Sequence, residues 1–177
     1  FQAATVDLTA ASSGGPDSLE VSGNTFTADQ SDAIQVGAPA FNGAEDTVTI
    51  DSNEITHSGA TGTGIIALDG GDGGEPGQAT ISSNTIEGET GSADTGISLD
   101  TNLTVDVSGG SLNATNDGIL TTTNIGSTVN VSDVELTNIE NTGITLQNNE
   151  TNDPTTANID GVTIDSSSGA TGIIVPS

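Results

Sequence analysis

A short string of residues recurs along most of the chain, and this repetition constrains the fold more than any other feature. Each copy begins with an apolar residue, passes through a polar bend and ends on an apolar residue. The copies are V-S-G-N-T-F at 21–26, I-D-S-N-E-I at 50–55, I-S-S-N-T-I at 81–86, V-S-G-G-S-L at 107–112, V-S-D-V-E-L at 131–136 and I-D-G-V-T-I at 159–164. A second string follows each copy: D-A-I at 32–34, T-G-I at 63–65, 95–97, 142–144 and 171–173, and D-G-I at 117–119. Six repeats of one pattern indicate a solenoid whose units pack against their neighbours.

The residues inside each repeat alternate with the period of a β-strand. Val48, Thr49 and Ile50 place apolar side chains on one side and a polar one on the other, which is typical of a half-buried strand. A further short strand begins at the Gly-Ile pair of the second string, as in Gly96–Leu99. No segment keeps helical spacing over three turns. The pattern predicts an all-β coil with three short parallel strands in each repeat.

The repeat, approximately V-x-I-x-x-N-x-I followed by G-I-x-L, resembles that of the right-handed parallel β-helix of the pectin-lyase-like superfamily. The resemblance runs from about Leu19 to Val175. It implies a single-stranded right-handed parallel β-helix, or β-solenoid, over residues 17–177, with about six coils of three short strands and no capping helix.

The same resemblance implies that one asparagine of each coil stacks on its counterpart in the next, forming a structural ladder. Matching asparagines occur at Asn24, Asn53 and Asn84, whereas the later repeats carry Gly110, Val134 and Val162 at this place. We therefore expect a ladder of three rungs that ends midway along the solenoid. The Gly-Ile strings predict a stacked core column of Ile65, Ile97, Ile119, Ile144 and Ile173.

Residues 1–16 form an N-terminal segment that differs from the repeats. It contains one alternating strand, Val6 to Leu8, and a Ser-Gly-Gly-Pro linker at 13–16. Both ends of the solenoid look open, so residues 4–10 are expected to pair with a neighbouring subunit by strand addition. Because the chain begins at Phe1 and contains no Met, we expect either a fragment or a chain whose N-terminal leader has been removed, placed outside the cell or at its surface.

The charge of the chain excludes several classes of partner. There are 25 Asp and Glu residues and no Lys or Arg, which gives a formal charge of −25. Nucleic-acid binding needs cations that displace phosphate counterions, so it is not expected. Membrane insertion is not expected either, since no apolar run reaches the roughly 18 residues of a spanning helix. Pectate lyases, polygalacturonases and pectin methylesterases are enzymes with the fold that the resemblance implies, and they use Arg or Lys in their sites. Because this chain has neither residue, we expect no catalytic site.

Few residues are candidates for metal binding or catalysis. Asp69, Asp72 and Glu75 are separated by glycines and form a weak Ca²⁺ candidate, with a loop between coils as the alternative. No other cofactor is expected. Glycosidases use paired carboxylates, but the outward-facing candidates Asp51, Asp106 and Asp160 fall in different coils. The only histidine, His57, is expected at the surface or in a loop.

Four N-glycosylation sequons occur, at Asn102, Asn113, Asn130 and Asn149. Asn113 and Asn149 are the better candidates because they fall in predicted loops, whereas Asn130 faces outward within a strand. Chance alone produces several such matches in a chain rich in Asn, Ser and Thr.

These features favour a structural subunit of an extracellular filament, pilus-like fibre or sheath, which assembles with itself by end-to-end stacking or strand addition. The alternative is a segment of a cell-surface adhesin or autotransporter-like passenger that contacts surface glycans or host cells. A carbohydrate-active enzyme and an ice-binding protein are weaker alternatives. The outward row Glu20, Thr49, Thr80, Asp106, Asn130 and Asn158 interrupts the regular threonine lattice that ice binding requires.

Overall fold

A computed structural model describes residues 6–8, 18–28, 32–37, 47–58, 66–69, 77–91, 94–101, 104–113, 115–123, 128–148, 156–166 and 169–175. These residues form strands, bends and turns and contain no helix. Accordingly, no helix in the described ranges is long and apolar enough to cross a membrane.

The described strands form three parallel sheets, and the chain visits each sheet in turn. Sheet 1 contains β2 (Ser18–Ser22), β5 (Thr47–Asp51), β8 (Gln78–Ser82), β11 (Thr104–Ser108), β14 (Thr128–Ser132) and β17 (Thr156–Asp160). Sheet 2 contains β3 (Thr25–Ala28), β6 (Glu54–His57), β9 (Thr85–Glu87), β12 (Ser111–Asn113), β15 (Glu135–Ile139) and β18 (Thr163–Ser166). Sheet 3 contains β1 (Val6–Leu8), β4 (Ile34–Val36), β7 (Ile66–Asp69), β10 (Thr95–Thr101), β13 (Asp117–Thr123), β16 (Thr142–Asn148) and β19 (Thr171–Ile174).

Each described strand from β1 to β16 pairs in parallel with the strand that lies one repeat later in the sequence, for example β5 with β8 and β6 with β9. This arrangement is a parallel β-solenoid, and the prediction of an all-β fold built from parallel strands is confirmed. The N-terminal strand β1 belongs to sheet 3, where it pairs in parallel with β4 of its own chain.

Aliphatic side chains fill the interior in columns that run along the axis. In sheet 2 one column is formed by the apolar residue that follows each bend, and neighbouring members are direct strand partners. Its members are Phe26, Ile55, Ile86, Leu112, Leu136 and Ile164. Burial of such columns between successive coils supplies the hydrophobic stabilisation, so a core almost without aromatic residues suffices.

The predicted core column of sheet 3 is wrong at one position. The strand partner of Ile97 is Ile66, and Ile65 lies outside the described residues. The register follows the alternating pair of apolar residues in β7, because Ile66 and Leu68 align with Ile97 and Leu99 and all four are buried. Aligning the string at 63–65 with that at 95–97 therefore places the core isoleucine of β7 one residue too early in the sequence.

A left-handed residue turns the chain from sheet 1 into sheet 2 in every repeat. The φ angles at these positions lie between 54° and 65°, a region that glycine adopts readily and that short polar residues tolerate at some cost. The residues are Gly23, Ser52, Ser83, Gly109, Asp133 and Gly161. This bend explains the small or polar residue at the centre of the first repeated string.

The glycine of the second string allows close approach between coils at the start of sheet 3. A Cβ atom on Gly118 would meet the carbonyl oxygen of Gly143 at 2.5 Å, and one on Gly143 would meet that of Gly172 at 2.6 Å. Both distances are too short for a side chain, so the packing of this corner requires glycine at positions 118 and 143.

Candidate functional site

Asn24, Asn53 and Asn84 stand one above the other at the bend between sheets 1 and 2. The backbone N–H and the side-chain Nδ2 of Asn24 both donate to Asn53 Oδ1, at 3.0 and 3.2 Å. Asn53 donates to Asn84 Oδ1 in the same way, with both distances at 3.0 Å. The amides of Asn53 and Asn84 also donate to the carbonyl oxygens of Val21 and Ile50. The three side chains thus join successive coils along the axis.

The asparagine column stops at Asn84 because the backbone of the next coil differs at Gly110. Gly110 has a φ of 78°, and a Cβ atom there would overlap the backbone oxygen of Asn84. The Asn84 carbonyl accepts a hydrogen bond from Ser111 N at 2.9 Å, just as the carbonyls of Asn24 and Asn53 accept from the next coil. No side chain fits at position 110 in this arrangement, so the side-chain ladder ends here while the backbone hydrogen bonds continue.

Replacing Asn53 by leucine is expected to lower the free energy of unfolding by about 1–3 kcal/mol. The substitution removes the side-chain donor to the Val21 carbonyl and one of the two donors to the buried Asn84 Oδ1. It also leaves the two N–H donors of Asn24 without their acceptor. Urea denaturation measures the change. Asn24→Leu is the control: Asn24 is exposed, so water can replace its partners and the loss should be smaller. An unchanged midpoint in Asn53→Leu would contradict the assigned role.

Asparagine amides also donate hydrogen bonds to carboxylate and amide oxygens of the neighbouring coil on the outer surface. Asn130 Nδ2 donates to Asp106 Oδ1 at 2.6 Å, and Asn158 Nδ2 donates to Asn130 Oδ1 at 2.7 Å. On sheet 2, Asn113 Nδ2 donates to Glu87 Oε2 at 2.7 Å. Because the chain has no Lys or Arg, neutral donors of this kind take the place that cationic side chains occupy on other acidic surfaces.

At Asp51, serine hydroxyl groups are the neutral donors to the carboxylate. Ser82 Oγ donates to Asp51 Oδ1 at 2.5 Å and Ser52 Oγ donates to Asp51 Oδ2 at 2.9 Å. These two hydrogen bonds, that of Ser82 above all, hold the pKa of Asp51 below its ordinary value of 3.8. A carboxyl whose pKa is depressed by folding stabilises the protein above its unfolded-state pKa, and the contribution disappears as the pH falls through the folded-state pKa.

Ser82→Ala is therefore expected to raise the pKa of Asp51 and to flatten the dependence of stability on pH below about pH 4. The pKa is measured from the carboxyl ¹³C shift of Asp51, and stability from urea midpoints across the acid range. Ser108→Ala makes the same change one strand further along sheet 1 and should leave the Asp51 pKa unaltered. An Asp51 pKa unchanged in Ser82→Ala would refute the assignment.

His57 is buried and forms a hydrogen bond with Asp94, so the expectation of a surface or loop histidine is wrong. It ends β6 with 1% of its surface exposed, and its Nδ1 lies 2.7 Å from Oδ2 of Asp94. Asp94 immediately precedes β10 and is also fully buried. The pair therefore links the end of a sheet 2 strand to the start of a sheet 3 strand in the next coil. The sequence separation of 37 residues gave no signal for this contact.

The other predicted site residues are not brought together. Asp51, Asp106 and Asp160 lie in β5, β11 and β17, on three different strands of sheet 1. Asp69 is the last residue of β7, while Asp72 and Glu75 fall outside the described residues. Within the described part of the chain, no group of three or more His, Asp or Glu residues is placed to hold a metal ion.

The described sequons lie in strands. Asn113 is the last residue of β12, so its placement in a predicted loop is wrong; its amide is engaged with Glu87, and its Oδ1 accepts from Thr137 and Asn138. Asn130 lies in β14, as expected. Asn102 and Asn149 are outside the described residues.

The last described coil leaves apolar side chains open to solvent. Ile144 in β16 is fully buried, but its partner Ile173 in β19 is 45% exposed and Val175 is 69% exposed. Ile159 and Ile164, in the corresponding strands of sheets 1 and 2, are only partly buried. The apolar residues of this coil are therefore more exposed than those of the coil before it.

Comparison with protein-family models, curated proteins and solved structures finds no match to this chain.

Proposed function

We propose that this chain is a non-catalytic structural unit of an extracellular filament, pilus-like fibre or sheath, and that its units stack end to end along the solenoid axis. The observation that carries the proposal is the uncovered apolar coil formed by β17, β18 and β19. Ile173 there is 45% exposed, although its strand partner Ile144 is fully buried.

A second unit would cover this coil by repeating the contact that each coil makes with the next. All described strand pairs are parallel, so the first coil of another copy offers strands of the same direction to β17, β18 and β19. The outer edges of these strands present N–H and C=O groups that favour pairing. Covering the exposed isoleucine and valine adds hydrophobic stabilisation of about 25 cal/mol per Å².

The axial hydrogen-bond columns favour a mechanical role, in which the solenoid resists unfolding. The asparagine ladder and the Asp106, Asn130 and Asn158 column connect consecutive coils in addition to the backbone pairing. Since β1 already pairs with β4 of its own chain, we favour stacking of whole coils over donation of this strand. The right-handed sense, the six coils and the relationship to the pectin-lyase-like superfamily are part of the same proposal.

The charge of the chain fits a role outside the cell. A formal charge of −25 opposes contact between units at low ionic strength, whereas salt screens this repulsion. The absence of Lys and Arg also leaves no peptide bond for trypsin-like proteases. We propose that the units assemble in saline surroundings.

Analytical ultracentrifugation of the purified chain tests this proposal. In high salt and at rising protein concentration, the wild-type chain is expected to form large assemblies. Ile173→Glu adds a charge to the uncovered coil and is expected to leave single chains. Gln35→Glu adds the same charge to an exposed position on the side wall, in β4, and is expected to behave like the wild type. Assembly unaffected by Ile173→Glu would contradict stacking through this coil.

The uncovered coil also supports the alternative function, a segment of a cell-surface adhesin or autotransporter-like passenger. In that case further coils of the same polypeptide cover Ile173 and Val175. A chain that stays monomeric under all of the above conditions would favour this alternative.

A further inference from the structure

Three polar side chains are buried together where the chain passes from sheet 2 to sheet 3. His57 ends β6, Asp94 precedes β10, and Thr115 lies between β12 and β13. Asp94 stands between the other two, because its carboxylate contacts His57 Nδ1 and its carbonyl accepts from Asn116 N, next to Thr115. Exposure is 1% at His57 and 0% at Asp94 and Thr115.

Apolar residues close this polar corner at both ends along the axis. Ala28 is the strand partner of His57 on one side. On the other side the Thr115 carbonyl accepts a hydrogen bond from Glu140 N, which follows the buried Ile139. Ala28 and Ile139 thus flank this polar corner along the solenoid axis.

Two atoms in this polar corner have hydrogen-bonding capacity that no described protein group satisfies. They are His57 Nε2 and Thr115 Oγ1, and both are buried. An unsatisfied buried polar atom is costly, and proteins commonly satisfy such atoms with ordered internal water. Both orphaned atoms occur in the same corner, on either side of Asp94, which points to a ligand small enough to enter a packed interior.

We propose that this corner is an internal water-binding site. The Nδ1–H of His57 donates to the Asp94 carboxylate, an assignment that follows from the hydrogen-bond network. Nε2 then keeps its lone pair and accepts an O–H from a bound water. The Thr115 hydroxyl has its own donor and acceptor capacity for water on the opposite side of Asp94. Water held here is part of the folded structure and exchanges slowly, because Ala28 and Ile139 close the corner.

NMR of the intact ¹⁵N-labelled chain tests the site at His57, whose ring signals are unambiguous because the chain has one histidine. The expected result is a proton on Nδ1, none on Nε2, and a cross-peak between the ring protons and water whose sign indicates a long-lived water. Absence of that cross-peak, or a hydrogen bond from Nε2 to another protein group, would overturn the proposal.

Thermal unfolding of Thr115→Val gives a second test that does not depend on the histidine. Valine has the shape of threonine without the hydroxyl. If water satisfies Oγ1, the substitution removes a hydrogen bond and should lower the melting temperature by about 2–4 °C. If the hydroxyl is dry and unsatisfied, valine should raise the melting temperature, and that result would also overturn the proposal.

Thr121→Val is the matched control. Thr121 is equally buried, and its Oγ1 donates to the Thr145 carbonyl at 3.2 Å. Its replacement is expected to lower the melting temperature by a similar amount, which sets the scale for a hydroxyl that has a partner.

Discussion

Replacing His57 by leucine is expected to lower the free energy of unfolding by about 3–5 kcal/mol, the usual cost of leaving a buried charge without its partner. The substitution leaves the Asp94 carboxylate in the core without the group that lies 2.7 Å from it. No Lys or Arg exists in the chain to take its place. Chemical denaturation followed by circular dichroism measures the loss.

The double variant His57→Leu with Asp94→Leu distinguishes the pair from simple packing. Replacing both members of a buried pair by apolar residues is often neutral, so the double variant should be more stable than either single variant. A single-variant loss below about 1 kcal/mol, or strictly additive losses in the double variant, would contradict the assigned interaction between His57 and Asp94.

Gly110→Ala is expected to destabilise the protein by about 2–5 kcal/mol, which combines the cost of a left-handed alanine with that of overpacking. The φ of 78° disfavours any side chain, and the new Cβ would overlap the backbone oxygen and nitrogen of Asn84. The coil can accommodate the methyl group only by moving away from Asn84. Urea unfolding of the variant measures the effect.

Gly23→Ala is the control for this substitution. Gly23 also has a positive φ, of 65°, but a Cβ atom there would meet nothing within 4 Å. Its replacement should cost only the left-handed conformation, about 1–2 kcal/mol. Equal losses at the two positions would contradict the close approach of Gly110 to Asn84.

The sequence predicts the parallel β-solenoid because its signals are local and repeated. The alternation in Val48, Thr49 and Ile50 fixes the inward face of β5, and the bend that follows fixes where sheet 2 begins. The asparagine column is also local, since each asparagine follows the same left-handed bend. Gly110 marked its end because one residue type replaces another at a fixed place in the repeat.

The features that the sequence did not predict depend on contacts between coils of unequal length. The connections from sheet 2 to sheet 3 differ in length from coil to coil, so no spacing rule relates Asp94 to His57. The shift from Ile65 to Ile66 has a similar cause: the strings at 63–65 and 95–97 match in letters, while the strand register follows the apolar alternation of β7. Asn113 was placed in a loop because its strand, β12, has only three residues.

Cryo-electron microscopy of the intact chain in high salt tests end-to-end stacking most directly. The structure leads us to expect unbranched fibres whose strands lie across the axis at a spacing of about 4.8 Å, with one unit occupying about 30 Å of fibre length. The three sheets should continue across each junction, with Ile173 buried there. Uniform particles of a single chain at every salt and protein concentration would contradict the proposed assembly.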